Sequence, residues 1–244
     1  MSNSALVSYT LISPNRNSPR NKPIRKITLH HMAGSLSLPE FGALVARTSR
    51  QMSANYAIDK DGNIGLFCPE ADRSWCSSSP ENDHQAITVE IANDGGAPDW
   101  HVSDAALEAT VQLCVDVCRR NGMPGLTWAG DSSGTLTCHY MFTATACPGP
   151  YLKSKMAWIA EEVTRRLTQT KLQLITIGPI TAQAAMTIWS KAIELQLPYK
   201  SEWTDDAHTM QRLTIGPVSN GDAMSLWTLA SVLGAPYSAE YVEG

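Results

Sequence analysis

Four short runs in the first two thirds of the chain place apolar side chains at every second position or as compact apolar blocks beside a turn. KITLH sets Ile27 and Leu29 against Thr28 and His30, and AITVEIA sets Ile87, Val89 and Ile91 against Thr88 and Glu90. A period of two belongs to a strand with one face in a core. NYAID and NIGLF flank a turn at Asp61-Gly62 and predict a hairpin. Between these runs the apolar spacing changes. PEFGALVARTS and SDAALEATVQLCVDVCRRNG predict helices, the second opened by Ser103 as N-cap and stopped at Gly122. A further helix is predicted from Tyr151 to about Thr170, with Pro150 acceptable in its first turn. Alternating strand and helix signals predict a mixed α/β unit.

After this unit the chain repeats itself. ITIGPITAQAAMTIWSKAIELQLPYKSEW, from Ile175, aligns without gaps on LTIGPVSNGDAMSLWTLASVLGAPYSAEY, from Leu213, at a shift of 38 residues. Each copy opens with a β-branched run ending in Gly-Pro. Apolar residues then recur at helical spacing: Ala185, Ile188, Trp189, Ala192 and Leu195 in one copy, Ala223, Leu226, Trp227, Ala230 and Leu233 in the other. A short strand follows Pro198 or Pro236. Two strand-helix-strand units, about 175–203 and 213–241, are expected to bury their helical stripes, Trp189 and Trp227 included, against one shared sheet. The boundary is expected near residues 168–173, giving domains of 1–170 and 172–244.

Composition narrows the function classes. A chain of 244 residues with 43% hydrophobic and 17% charged residues is globular. Its 19 basic residues are outnumbered by 23 acidic ones and form no cationic block, which disfavours nucleic acid as a partner. The N-terminal segment lacks a basic region followed by an apolar core, and no run is long enough for a membrane span, so cytoplasmic synthesis without a Sec-type signal is expected. Six cysteines, Cys68, Cys76, Cys114, Cys118, Cys138 and Cys147, are too sparse for a secreted disulfide scaffold; free thiols or metal ligands fit better.

Within TCHYMFTATACPGPYL, His139 and Cys147 stand eight residues apart, and Cys147 precedes a predicted helix, whose N-terminus favours a thiolate. That spacing alone does not make a site, because cysteine is commonly buried. A third ligand is needed, and LHHMAG offers two histidines at the end of a strand. The motifs ITLHHMAG, SANYAIDKDGNI, AITVEIAN and TCHYMFTATACPGPYL, in this order, resemble the zinc-dependent N-acetylmuramoyl-L-alanine amidase type 2 family, over roughly residues 20–165. The resemblance implies a mixed central sheet flanked by helices, and a Zn2+ ion held by His30, His139 and Cys147. Three protein ligands with one open position make a catalytic zinc site, in which water is activated against the amide between N-acetylmuramic acid and L-alanine.

On the residues alone Glu90 is either a solvated strand residue or a carboxylate facing a cleft. The resemblance makes it the general base. Tyr56, otherwise a core aromatic, matches a tyrosine beside the zinc that would donate to the oxyanion. Thr145 stands two residues before the last ligand, where some members carry Lys; a hydroxyl donates a hydrogen bond but supplies no charge. His31 is ambiguous. Cys114 and Cys118 lie on the apolar stripe of a helix and Cys138 faces the core, while Cys68 and Cys76 flank a loop and are placed either to pair in an oxidising medium or to stay free. His84, His101 and His208 are expected at the surface.

The repeats resemble, more weakly, halves of a SPOR-type peptidoglycan-binding domain, and their last 74 residues carry four basic and seven acidic groups. An amidase joined to a wall-binding module implies bacterial peptidoglycan as partner and an endolysin of phage or prophage origin, released to the wall after synthesis. A host autolysin and a catalytically silent peptidoglycan-binding protein are the alternatives.

Overall fold

The computed structural model describes residues 2–168 and 172–242, and the chain divides into two compact units after residue 168. In the first unit the strands are β1 (Val7–Thr10), β2 (Arg16–Asn17), β3 (Lys26–His31), β4 (Tyr56–Ile58), β5 (Ile64–Leu66), β6 (Arg73–Ser74), β7 (Ala86–Ile91) and β8 (Leu136–Cys138). The helices are α1 (Leu38–Val45), α2 (Pro80–Asp83), α3 (Asp104–Arg120) and α4 (Pro150–Thr168). A six-stranded sheet runs in the order β1-β5-β4-β7-β3-β8, and β2 pairs with β6 apart from it. Strands β4, β7, β3 and β8 are parallel, and the Asp61-Gly62 hairpin adds β5 antiparallel to β4. The α/β architecture with a mixed central sheet is the expected one.

The two sheet faces differ in chemistry, as the period of two dictates. Ile27, Leu29, Ile87, Val89 and Ile91 point into the larger core, which they share with Leu107, Val111, Cys114 and Cys118 of α3 and Leu152, Met156, Ile159 and Val163 of α4. Ser103 caps α3, its side chain accepting the Ala106 N–H at 3.1 Å. The opposite face carries Thr28, Thr88 and Thr137 side by side, with Thr28 and Thr137 hydroxyls 2.9 Å apart, and a smaller core beneath α1 built on Phe41, Val45, Ala57 and Phe67. Helix α4 is described to Thr168; the last residues of the sequence-predicted helix lie outside the described residues. No described helix is long and apolar enough to cross a membrane.

The second unit comprises β9 (Leu172–Thr181), α5 (Ala182–Glu194), β10 (Tyr199–Trp203), β11 (Met210–Val218), α6 (Asn220–Val232) and β12 (Tyr237–Val242). Its antiparallel sheet has the order β10-β11-β9-β12. Ile175, Ile177, Leu213 and Ile215 bury against Ala185, Ile188, Ala192, Ala223, Leu226 and Ala230 of the helices. Leu233, expected in the buried stripe, is exposed, and two further details depart from the sequence reading. Strands β9 and β11 continue past Gly178-Pro179 and Gly216-Pro217, with the register shifting there, because an irregularity accommodates the missing proline N–H. Trp189 and Trp227 are half-buried at the margin of the core, where they meet Tyr199 and Tyr237 at ring separations of 6.3 and 5.9 Å.

The repeat has a reciprocal steric reason for its glycines. Gly178 has φ +117°, and a Cβ there would stand 2.5 Å from the Gln211 carbonyl oxygen; Gly216 has φ +129°, and its Cβ would stand 2.5 Å from that of Gln173. Backbone rather than a flexible side chain is in the way. Gly216→Ala is therefore expected to cost about 1–3 kcal/mol through strain and overlap. Thermal melting should show the second unit unfolding earlier, with the first unit unchanged.

Candidate metal centre

Parallel strands that end together present their last side chains to one cleft, the usual ligand position in open α/β sheets. His30 is near the end of β3, paired in register with Glu90 near the end of β7, so the two share a face. His139 follows β8 on the other flank, at the start of a 3-10 turn spanning His139–Met141. Cys147 arrives from the turn before α4. This turn is fixed locally: the Thr145 hydroxyl accepts the Cys147 N–H at 3.2 Å, and the Cys147 carbonyl accepts the Tyr140 N–H at 3.2 Å.

Donor atoms of His30, His139 and Cys147 lie within 4.8 Å of one another. The His30 and His139 rings are 4.6 Å apart, and Cys147 Sγ is 3.7 Å from His30 Nδ1. Nitrogen and sulfur bound to one tetrahedral ion are separated by about 3.6 Å, given bond lengths near 2.05 and 2.3 Å. The Nε2 atoms of His30 and His139 are buried without a hydrogen-bond partner. Buried polar atoms normally have partners, so the orphaned His139 nitrogen, together with His30 Nδ1 facing the Cys147 thiol, belongs to a set suited to a divalent metal.

Electrostatics point the same way. Burial pushes His30 well below the usual histidine range, helped by His139 and His31, and burial also lowers His139. Both rings are thus neutral, the form that ligates. The Cys147 thiol is pushed up by burial first and by Glu90 second, against a backbone hydrogen bond from His31. The helix end does not outweigh burial here, so a thiolate at Cys147 requires a cation. Glu90 is 6% exposed. Burial raises its carboxyl to about 8, while the Cys76 thiol and Arg50 pull it down.

A cavity of about 240 Å3 opens over these groups, lined by His31, Arg50, Cys76, Glu90, His139 and Cys147 among others. A second, of about 290 Å3, shares Met52, Cys76 and His139 with it and extends to Arg73 and Trp75. Residues 20–150, more than half of the chain, match the sequence family of N-acetylmuramoyl-L-alanine amidases. The chain belongs to that family.

Solved structures are similar to the amidase in fold. The catalytic domain of PlyG shares 16% identity over 66% of this chain and 96% of its own, with a TM-score of 0.52. PlyL shares 14% over 64% and 95%, at 0.50. The hydrolase AmiA of Staphylococcus aureus, solved in complex with its ligand, shares 16% over 65% and 82%, also at 0.50. No curated protein matches the sequence.

Within this amidase, one expected site residue is elsewhere. Tyr56 pairs with Val89 on β7 and so faces the larger core, away from Glu90. Its hydroxyl donates to Glu70 Oε1 at 2.6 Å and accepts the Ser4 N–H at 2.9 Å. Glu70 in turn binds Arg120 at 2.7 Å. Tyr56 is thus a structural anchor and not an oxyanion donor. Tyr56→Phe is expected to leave turnover near normal and to lower thermal stability by about 1–3 kcal/mol, the cost of stripping a buried acceptor of its donor. Thr145 is exposed, and the contact it makes is the one that holds the Cys147 turn.

Cys76 is a residue whose state and surroundings the sequence left open. It and Cys68 are both free; Cys76 is buried with its sulfur 3.9 Å from Glu90 Oε1, and Cys68 contacts the Pro69 carbonyl at 3.8 Å. His31 lines the cavity edge against Trp100, with ring centroids 5.5 Å apart. Cys114, Cys118 and Cys138 are core residues. His101 is half-exposed and 2.6 Å from Asp94, His84 is half-buried and His208 is exposed.

Proposed function

We propose that the amidase is zinc-dependent and cleaves the bond between N-acetylmuramic acid and L-alanine of peptidoglycan, with His30, His139 and Cys147 as the metal ligands. The observation that carries this is the meeting of two neutral imidazoles and a thiol at the ends of adjacent parallel strands, with Cys147 Sγ 3.7 Å from His30 Nδ1 and His139 Nε2 buried and unpartnered. When bound, zinc polarises the scissile carbonyl and lowers the pKa of water. Glu90 takes the proton from the attacking water and returns it to the amine of L-alanine as that leaves. A carboxyl poised by burial near the working pH suits both transfers. Its backbone register with His30 holds it beside the reacting atoms. Thr145 acts through the turn that presents Cys147, and the two cavities that meet at His139 and Cys76 leave room on either side of the scissile bond.

The reaction is tested by mass spectrometry of purified wall digested with the full chain. Free stem peptides and intact glycan strands are expected. New glycan reducing ends would instead mean a glycosidase.

The second unit is assigned to wall binding and the whole protein to an endolysin's role. Supporting this are the repeat's own core, its separation from the amidase unit and the absence of a His/Cys/Asp/Glu metal group in it among the described residues. Residues 1–170 are expected to hydrolyse soluble muropeptides as fast as the full chain but to lyse intact cells more slowly, because tethering raises the local concentration of scissile bonds. Equal lysis by the truncated and full chains would remove the wall-binding assignment.

A further inference from the structure

Beside the first donor group lies a second. A nitrogen of His30, the Cys76 sulfur and a carboxylate oxygen of Glu90 also fall within 4.8 Å of one another, and all three residues are buried. The 3.9 Å from Cys76 Sγ to Glu90 Oε1 is close to the spacing of about 3.6 Å that sulfur and oxygen donors adopt on one tetrahedral ion. Glu90 Oε2 has no partner, and neither has His30 Nε2. His30 Nδ1 faces Cys147 at 3.7 Å, so the imidazole has one edge turned to the first group and one nitrogen left over.

Cys76 is held in place without any ion. Its N–H donates to Asp83 Oδ2 at 3.1 Å, and the neighbouring Ser77 hydroxyl donates to Asp83 Oδ1 at 2.6 Å. Asn82 ties the same loop to the sheet, donating to the Thr28 hydroxyl at 2.9 Å. The sulfur is therefore presented to the cavity by a preformed polar network, and the cavity that Cys76 and Glu90 line gives an ion its path.

We propose that Cys76, Glu90 and His30 form a second site for a zinc-type divalent cation, and that its occupancy switches the amidase off by capturing Glu90. The inhibitory part rests on Glu90 being the base, as proposed above. An ion entering displaces the thiol proton of Cys76, the proton on the remaining His30 nitrogen and any proton on the Glu90 carboxyl, all to solvent. This site fills after the first. It shares an imidazole with an ion already bound, and two cations so close repel. The device makes the enzyme active at limiting zinc and silent in excess.

Equilibrium dialysis of the full chain against Zn2+ with metal analysis tests the site, and the ratio of turnover in excess zinc to turnover at one equivalent tests its effect. Two ions per chain are expected in excess zinc, with turnover falling at least about tenfold, since a captured base forfeits much of its contribution. Cys76→Ser and Cys76→Ala should each bind one ion and hold that ratio level, thermal melting confirming that each is folded. With Co2+ as probe, thiolate-to-metal absorption should rise in two steps in the native chain and in one step in Cys76→Ser. One ion per chain at every concentration, or a second ion that persists in both Cys76 variants, overturns the site. A second, Cys76-dependent ion that leaves turnover level overturns the inhibition. Failure of the active-centre reading is separate, because it shows as two ions still bound by His139→Ala in excess zinc, where the remaining His30, Cys76 and Glu90 group should hold one.

Discussion

His139→Ala and Cys147→Ala are each expected to lose the first zinc and essentially all turnover while remaining folded. Two donors cannot hold a tetrahedral ion against water, and the third is not replaced, because Cys76 and Glu90 form a donor group with His30 but none with His139 or Cys147. The lost Lewis acid is worth several kcal/mol of transition-state stabilisation, and at about 1.4 kcal/mol per decade this is on the order of 10³–10⁵-fold in rate. Cys114→Ala is the control: that thiol is buried in the helical core and its loss should lower stability without touching metal content. Metal analysis of the three variants separates the roles. Full zinc occupancy in both ligand variants would refute the assignment.

Glu90→Gln is expected to keep zinc and fold while turnover drops by roughly 10² to 10⁴. Glutamine preserves the shape and loses only the basic oxygen. The change should not destabilise the metal-free protein. The carboxyl of Glu90 is raised to about 8 by burial, so ionising it in the folded state is unfavourable. The sign follows from linkage: stability is fully present below the ordinary carboxyl range and is lost as pH rises towards the folded value. A neutral amide escapes this loss, and the metal-free variant should melt at least as high as its parent at pH 7. Near-normal turnover in Glu90→Gln would move the proton-acceptor role to another group.

What was legible in the sequence follows from where the signal is periodic. Alternation with apolar neighbours in strands of six residues put His30 and Glu90 each on the polar face, and parallel register sets them side by side, but their roles came from the resemblance. His139 and Cys147 needed the resemblance, since eight residues of turn carry no period. Tyr56 shows the limit of such a transfer. A motif fixes a position, but the direction of a hydroxyl is set by partners far along the chain, here Glu70 and Ser4. Cys76 follows a strand of only two residues, too short to alternate, and its approach to Glu90 depends on the Asp83 contacts that shape the loop. In the repeats the helical stripe correctly named Ala185, Ile188, Ala223 and Leu226 as core, whereas Trp189 and Trp227 are too large to pass under a two-helix layer and spread to its margin.

The proposed ligands of the first metal stand at residues 30, 139 and 147, so more than two thirds of the length of the first unit separates the earliest from the latest. A chain emerging from the ribosome has His30 long before it has the strand that brings His139 alongside. The ion can be captured only when β3, β7 and β8 have aligned, which makes metal loading a late event in a topology of distant strand pairings. Loading then reports on completion of the sheet: an incomplete or misregistered chain stays without its Lewis acid, and a folded one is stabilised by mass action as soon as zinc binds.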